Sequence, residues 1–283
     1  RTIGAVPLMV GSLVINAATI LLLAAFRDIA AWFALRVVMG ATIGALFAVS
    51  EAWINQVAAT ASRGRTASVY IIVATAGLAS GPLVIPLVGI EGWTPFVVAF
   101  AFVVLAAVPL LWAWPLAPDF GQAPAIRAWA FLRTAPRLMA AVALVGIFFG
   151  TVEALLPVYG VKEGMALTGA VAMLSVVVIG NMVLLYPLGW LADRLAPGPI
   201  MLLCGAILLA GSAALPFVTD TPILLWPVLL IWGGAAGGLY AVAMTVLGRR
   251  YSGTDLVAGA AAFTIFYGIG SLAGPALSGG AMD

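Results

Sequence analysis

The chain has 283 residues, of which 64% are hydrophobic and 8% charged, with a mean hydropathy of +1.20 and a formal net charge of +2. A soluble domain carries about a quarter charged residues to hydrate its surface, so this composition excludes a water-soluble globule and requires a lipid-facing one. So small a net charge gives no support for a nucleic-acid partner, and the absence of histidine removes the commonest general base and metal ligand.

A bilayer core about 30 Å thick is crossed by roughly 20 apolar residues in helical form. Nine such spans follow one another over residues 4–25, 31–57, 66–89, 94–115, 138–159, 166–192, 199–218, 222–247 and 256–279, an all-α polytopic arrangement. The first opens directly behind Arg1-Thr-Ile, with neither an initiator Met nor a signal peptide, and the last runs into Gly280-Ala-Met-Asp283. The chain is therefore expected to be a piece lacking both ends. Short polar breaks separate the spans: Phe26-Arg-Asp28, Ser62-Arg-Gly-Arg65, Gly89-Ile-Glu-Gly92, Lys162-Glu-Gly164, Asp193-Arg194, Thr219-Asp-Thr-Pro222 and Arg249-Arg-Tyr-Ser-Gly253.

The basic residues orient these spans. With a cytoplasmic N-terminus, the inner loops hold Arg1, Arg63, Arg65, Arg127, Arg133, Arg137, Arg194, Arg249 and Arg250. The outer loops hold only Arg27 and Lys162, beside Asp28, Glu91, Glu163 and Asp220. Nine against two is an asymmetry that a miscount by one span would erase, so the bacterial cytoplasmic membrane, entered from the inside, is the expected setting. The longest break, 116–137, divides the chain into a first bundle (1–115) and a second (138–283). It carries Trp129, Phe131 and Arg133 in a short interfacial amphipathic pattern. Cys204, the single cysteine, lies in an apolar run; it cannot form an internal disulfide and is read as a packed helix position.

The two bundles are related. An offset of 193 residues places Gly40-Ala-Thr-Ile-Gly44 on Gly233-Gly-Ala-Ala-Gly237 and Leu46-Phe-Ala-Val49 on Leu239-Tyr-Ala-Val242. The same offset places Gly77-Leu-Ala-Ser-Gly-Pro82 on Gly270-Ser-Leu-Ala-Gly-Pro275, and Arg1 on Arg194. The first span of each unit starts inside, so the repeats run parallel, related by an axis along the membrane normal.

These residues resemble a known family. Gly189-Trp-Leu-Ala-Asp193-Arg194 is similar to the G-x-L-a-D-R loop motif of major facilitator superfamily (MFS) transporters, placed between the eighth and ninth helices of that fold. Arg1 is similar to the last arginine of the equivalent first-half loop. Arg36-Val-Val-Met-Gly40-Ala-Thr-Ile-Gly44 resembles the arginine motif of the fourth helix, and Gly77-x3-Gly81-Pro82 a reduced glycine–proline motif of the fifth. Ser50-Glu-Ala-Trp53, Arg63-Gly-Arg65, Leu156-Pro-Val-Tyr159 and Tyr267-Gly-Ile-Gly-Ser-Leu-Ala-Gly-Pro275 are similar to the YcaD-like group of MFS permeases. The sequence departs from the pattern after Arg194, where Leu-Ala-Pro-Gly-Pro199 lacks a distal basic residue, and at Pro86, which interrupts the antiporter form of the glycine–proline motif. The resemblance implies a two-bundle fold of which this chain supplies helices 3–6 and 7–11, lacking roughly the first two and the last.

Few polar groups lie deep in the spans, where a charge costs roughly 2.5–3.5 kcal/mol and usually lines a cavity or pairs. Arg36, Glu51 and Glu153 are the candidates for transport and coupling, with the proton as the candidate coupling ion. Arg36 and Glu51 are fifteen residues apart, about 22 Å along a helix, yet within about 60° of one face. Alternatives stand beside each: a snorkelling anchor for Arg36, a cap or a partner of Arg63 or Arg65 for Glu51, an outer-loop partner such as Lys162 for Glu153. The resemblance implies a cytoplasmic charge latch at Arg1, Gly189, Asp193 and Arg194. Gly40, Gly44, Gly77, Gly81, Pro82, Gly270, Gly274 and Pro275 are read as helix-packing or hinge positions. Asn181, Tyr186, Tyr240 and Tyr267 could line a solute path or pack in the helix interfaces.

The function expected is alternating-access transport of a small organic solute, in the lipid bilayer, by a monomer without cofactor or metal. The other reading is a non-transporting sensor or assembly scaffold on the same fold; an enzyme is not expected.

Overall fold

The computed structural model describes residues 4–26, 28–88, 92–118 and 128–280, and the structural statements below concern those residues. Ten α-helices follow in order: α1 (Ala5–Ala25), α2 (Ile29–Val57), α3 (Arg63–Val88), α4 (Thr94–Trp112), α5 (Phe131–Thr134), α6 (Pro136–Lys162), α7 (Leu167–Arg194), α8 (Pro197–Val218), α9 (Pro222–Arg250) and α10 (Gly253–Gly279). The helices start where the sequence signals a start. Asp28 caps α2 by accepting from the Ala31 amide at 2.9 Å, and proline sits in the first turn of α4, α6, α8 and α9, where its missing N–H costs nothing. Gly164 (φ +84°) and Gly253 (φ +56°) take the left-handed conformation that turns α6 into α7 and α9 into α10.

Eight helices are long and apolar enough to cross a membrane among the described residues, so the chain is an integral membrane protein. The expected nine spans are corrected to these eight; α3, which stands at the place of the third expected span, is a helix part of whose length lies outside the described side chains. Arg27 and Arg1 also lie outside the described residues.

Chain order and packing together sort the long helices into two sets. α1 packs against α2 and α4, with an Asn16–Thr42 hydrogen bond of 2.5 Å between α1 and α2, while α6, α7, α8, α9 and α10 pack closely together. α3 belongs to the first set by its place in the chain and packs chiefly across, on α7 and α9, as α2 does on α10. The bounds of α2 and α9 differ by 193 at both ends (29 to 222, 57 to 250), the offset of the sequence repeat. The second set is knit by close backbone approach. A methyl group added at Gly146 or Gly150 of α6 would run into the backbone of Tyr267 or Ser271. One added at Gly180 of α7 or Gly233 of α9 would run into Leu230 or Val177. Gly270 and Gly274 of α10 meet Ala143 and Ile147 of α6 in the same way, which gives these two predicted packing positions a physical contact. Gly44 touches Thr264, but added methyl groups at Gly40 and Gly77 would meet nothing within 4 Å. Pro275 lies inside α10; the side chain of Pro82 and the surroundings of Gly81 are outside the described residues.

The expected interfacial segment is a 3-10 turn (Ala128–Ala130) running into α5. Trp129 and Leu132 are exposed, whereas Phe131 is fully buried, edge-on to Tyr251 at 5.0 Å and against Gly259 and Leu247. A helix of four residues cannot hold itself, so this socket fixes the segment to α9 and α10. Phe131→Ala is expected to cost about 3–5 kcal/mol of stability, read as a lowered thermal midpoint in detergent. A variant that melts with the parent would show the socket to be ornamental.

Candidate functional site

The two sets meet at the end of the bundle that gathers Arg63, Arg65, Arg249 and Arg250. This end is assembled from the first turns of α3 and the last turns of α7 and α9. The first four amides of a helix have no partner within it, and the N-terminus carries a partial positive charge. Asp193, in the last turn of α7, answers both. Its Oδ1 accepts from the Gly64 amide at 2.6 Å, and its Oδ2 accepts from the Arg65 amide at 3.0 Å and stands 3.4 Å from the Arg65 Nε. Arg249 of α9 approaches Oδ1 at 3.9 Å, and the aspartate side chain is only 3% exposed.

The arginines act in the opposite sense, on carbonyls at helix C-termini. Arg63 donates across to the Gly248 carbonyl of α9 and to Ala58 at 3.3 Å, and Arg249 donates to the Ala192 carbonyl of α7 at 3.0 Å. Cations at helix C-termini are favourably placed. Ser68 adds a bond from α3 to the Leu185 carbonyl at 2.9 Å. Glycines on both sides permit this approach: an added methyl on Gly64 would strike the Gly189 carbonyl, and one on Gly189 would strike Ser68 and Gly64. Arg194 lies over the Trp190 ring at 4.0 Å, and among the described residues no hydrogen bond or ion pair joins it to this group. The residues reached from the motif were thus Gly189 and Asp193, and those missed were Arg63, Gly64, Arg65, Ser68, Gly248 and Arg249. Only the Arg-Gly-Arg sequence at a helix start pointed to the missed group.

Farther from the arginine-rich end, α2 and α9 share a second polar contact. Tyr240 donates to Glu51 Oε1 at 2.5 Å, and Glu51 is buried, with its Oε2 left without a hydrogen-bond partner. Beside it Ser50 and the Tyr70 hydroxyl of α3 are 2.8 Å apart. Neither Arg63 nor Arg65 pairs with Glu51; its partner is a tyrosine. Tyr240 is edge-on to Phe263 (6.0 Å) and Tyr267 (6.1 Å), and Glu153 is exposed on α6.

The other candidates are more dispersed. Arg36 is exposed on α2, separate from Glu51. Asn181 is 6% exposed and packed against Gly237 in the α7–α9 crossing, away from any described cavity. Tyr186 lies at a wide-open depression between α2, α3 and α7, with Ile54, Arg65, Val69 and Tyr70. Among the described residues no group of three or more His, Cys, Asp and Glu side chains could hold a metal ion.

The sequence model of the Major Facilitator Superfamily matches residues 1–275. An uncharacterized MFS-type transporter of Yersinia enterocolitica is 27% identical over 259 residues, covering 89% of this chain and 65% of its own length. The uncharacterized MFS-type transporter YcaD of Escherichia fergusonii is 27% identical over 249 residues, covering 87% and 64%. This chain thus spans just under two thirds of the length of these curated relatives. In fold it is similar to the human organic anion transporter MFSD10, with a TM-score of 0.75 at 18% identity over 97% of this chain and 71% of that one.

Proposed function

The chain belongs to the major facilitator superfamily, and from that premise we propose that the protein is a secondary transporter moving a small organic solute by alternating access, with the proton as its coupling ion. The observation that carries this reading is Asp193. Its carboxylate is spent on main-chain amides of a helix in the other set, a contact that is made and broken as a unit when two bodies separate. In this reading the arginine-rich end faces the cytoplasm and is closed, and the two bodies are 1–115 and 138–283, joined through 116–137. The contacts described between the sets run from that end to Gly44 and Thr264, while the first turns of α2 are largely exposed. That arrangement suits a cavity open on the far side. A small organic solute suits a path lined by tyrosines and few charges, and the protein is proposed to work as a monomer.

The test is flux. Full-length protein reconstituted in liposomes is to be screened against panels of radiolabelled organic acids, sugars and amines, with and without an imposed pH gradient. Accumulation of one class that collapses when the gradient is dissipated is the expected result. A protein that moves none of them, while a purified partner protein binds it in detergent, would instead be a scaffold on the same fold.

A further inference from the structure

The segment that Phe131 fastens has a second side, and it faces outward. Trp129 and Leu132 are 59% and 45% exposed, and Trp129 stands edge-on to Phe266 of α10 with ring centres 5.7 Å apart. The segment leads straight into α6, and its socket includes Tyr251, the residue after α9. α6 and α9 have 27 and 29 residues, about 40 and 43 Å of helix, against a hydrocarbon core of about 30 Å. Their arginine-bearing ends take up part of that surplus, since a guanidinium is costly in hydrocarbon. The segment therefore lies at headgroup depth, where tryptophan is favoured for its apolar ring and its N–H.

The charge beside this apolar pair has one sign. Arg133 stands in the last turn of α5, Arg137 in the first turn of α6, and Arg250 ends α9; all three are exposed. Among the described residues none of them makes a hydrogen bond or an ion pair. The acid of this stretch, Asp255, stands in the first turn of α10, where the helix N-terminus favours a carboxylate. An exposed apolar pair with unpaired cations around it fits an anionic bilayer surface. A soluble partner would first have to strip lipid from Trp129 and Leu132, and a zwitterionic headgroup sets its own cation against the arginines.

We propose that the segment Ala128–Thr134, with the start of α6 and the end of α9, is a docking surface for anionic phospholipid. Trp129 and Leu132 enter the boundary between acyl chains and headgroups, and Arg133, Arg137 and Arg250 take the headgroup phosphates of that leaflet. Phe131 holds the surface to α9 and α10. The surface stands apart from the transport reading and holds whether or not the protein moves a solute.

The test reads lipid contact at one position. Full-length protein with Cys204→Ser carries a bimane on Leu132→Cys as its one cysteine, in detergent micelles titrated with brominated-chain phosphatidylglycerol or phosphatidylcholine. Quenching is expected to reach its midpoint at a severalfold lower mole fraction of phosphatidylglycerol, with roughly fivefold per arginine as the ceiling at low salt. Arg133→Gln, Arg137→Gln and Arg250→Gln together are expected to bring the two curves into coincidence, as is about 0.5 M sodium chloride. The same label on Leu195→Cys, exposed at the end of α7, is expected to give curves that the three substitutions leave unchanged. A thermal midpoint of the triple variant equal to the parent's shows that the fold is kept. Coincident curves in the parent, or a preference that survives the triple substitution, overturn the surface. So does a preference lost equally at Leu195→Cys, which would belong to the field of the whole bundle. A bimane at Leu132→Cys that neither lipid quenches overturns it too, and points to protein as the occupant.

Discussion

Replacing Asp193 with asparagine is expected to shift the arginine-rich end from closed to open by about 2–3 kcal/mol, roughly a 30- to 150-fold change in the equilibrium. Breaking a buried pair by removing one partner costs about 3–5 kcal/mol, and the lower figure reflects Arg65, whose side chain is 41% exposed and keeps water as an alternative partner. The amide side of the arrangement leaves less room for compensation. The Gly64 and Arg65 amides would face a side-chain amide that has one accepting oxygen in place of two, and the positive end of α3 would lose its counter-charge. Spin labels on the exposed residues Ala59 and Leu195, in a Cys204→Ser background, report the separation of the two sets at this end. A broad, longer distance distribution in Asp193→Asn against a short one in the parent is the expected outcome. Superimposable distributions would mean that the aspartate does not hold this end closed.

A larger effect is expected from Gly189→Leu. The crossing of α3 and α7 is too close for any side chain at this position, because even a methyl group would overlap Ser68 and the Gly64 carbonyl. Overpacking within a core costs about 1–3 kcal/mol when neighbours can yield, and here the neighbour is backbone, which yields only by moving the whole helix. Closure should therefore be lost rather than weakened, with the labels fixed at the long distance under all conditions. Gly40→Leu is the matched control: the same substitution on a helix position that meets nothing within 4 Å among the described residues should leave the distribution unchanged. Equal behaviour of the two variants would remove the close crossing from the account.

Much of the fold was legible because lipid imposes a simple rule: a span needs length and apolarity, and both are local properties. The 193-residue offset carried further, since it anticipated helices α2 and α9 with matching bounds. The count differs from the expectation at α3, a helix that stands where the third span was expected but is described only in part. Site residues were legible where one short motif held them, as for Gly189 and Asp193. Their partners were not, because Arg63, Gly64 and Arg249 come from other helices and meet Asp193 only through tertiary packing. Glu51 was found by its depth, but its partner was sought among the arginines of the next helix, and the residue that reaches it is Tyr240, 189 positions later. Asn181 shows the converse: a polar residue in a span that packs against Gly237 in a helix crossing.

The way Asp193 reads its neighbour has a consequence for how such a sequence can drift. Two of its contacts are to peptide groups, which every residue but proline supplies, so the α3 side of the pairing demands almost nothing of side-chain identity. The demand at position 64 is subtractive, a need for no side chain at all. Substitutions elsewhere in the first turn of α3 can then accumulate without a matching change at 193, and no compensating pair would betray the contact. The tie between the two bodies is thus inherited as one acid and one vacancy.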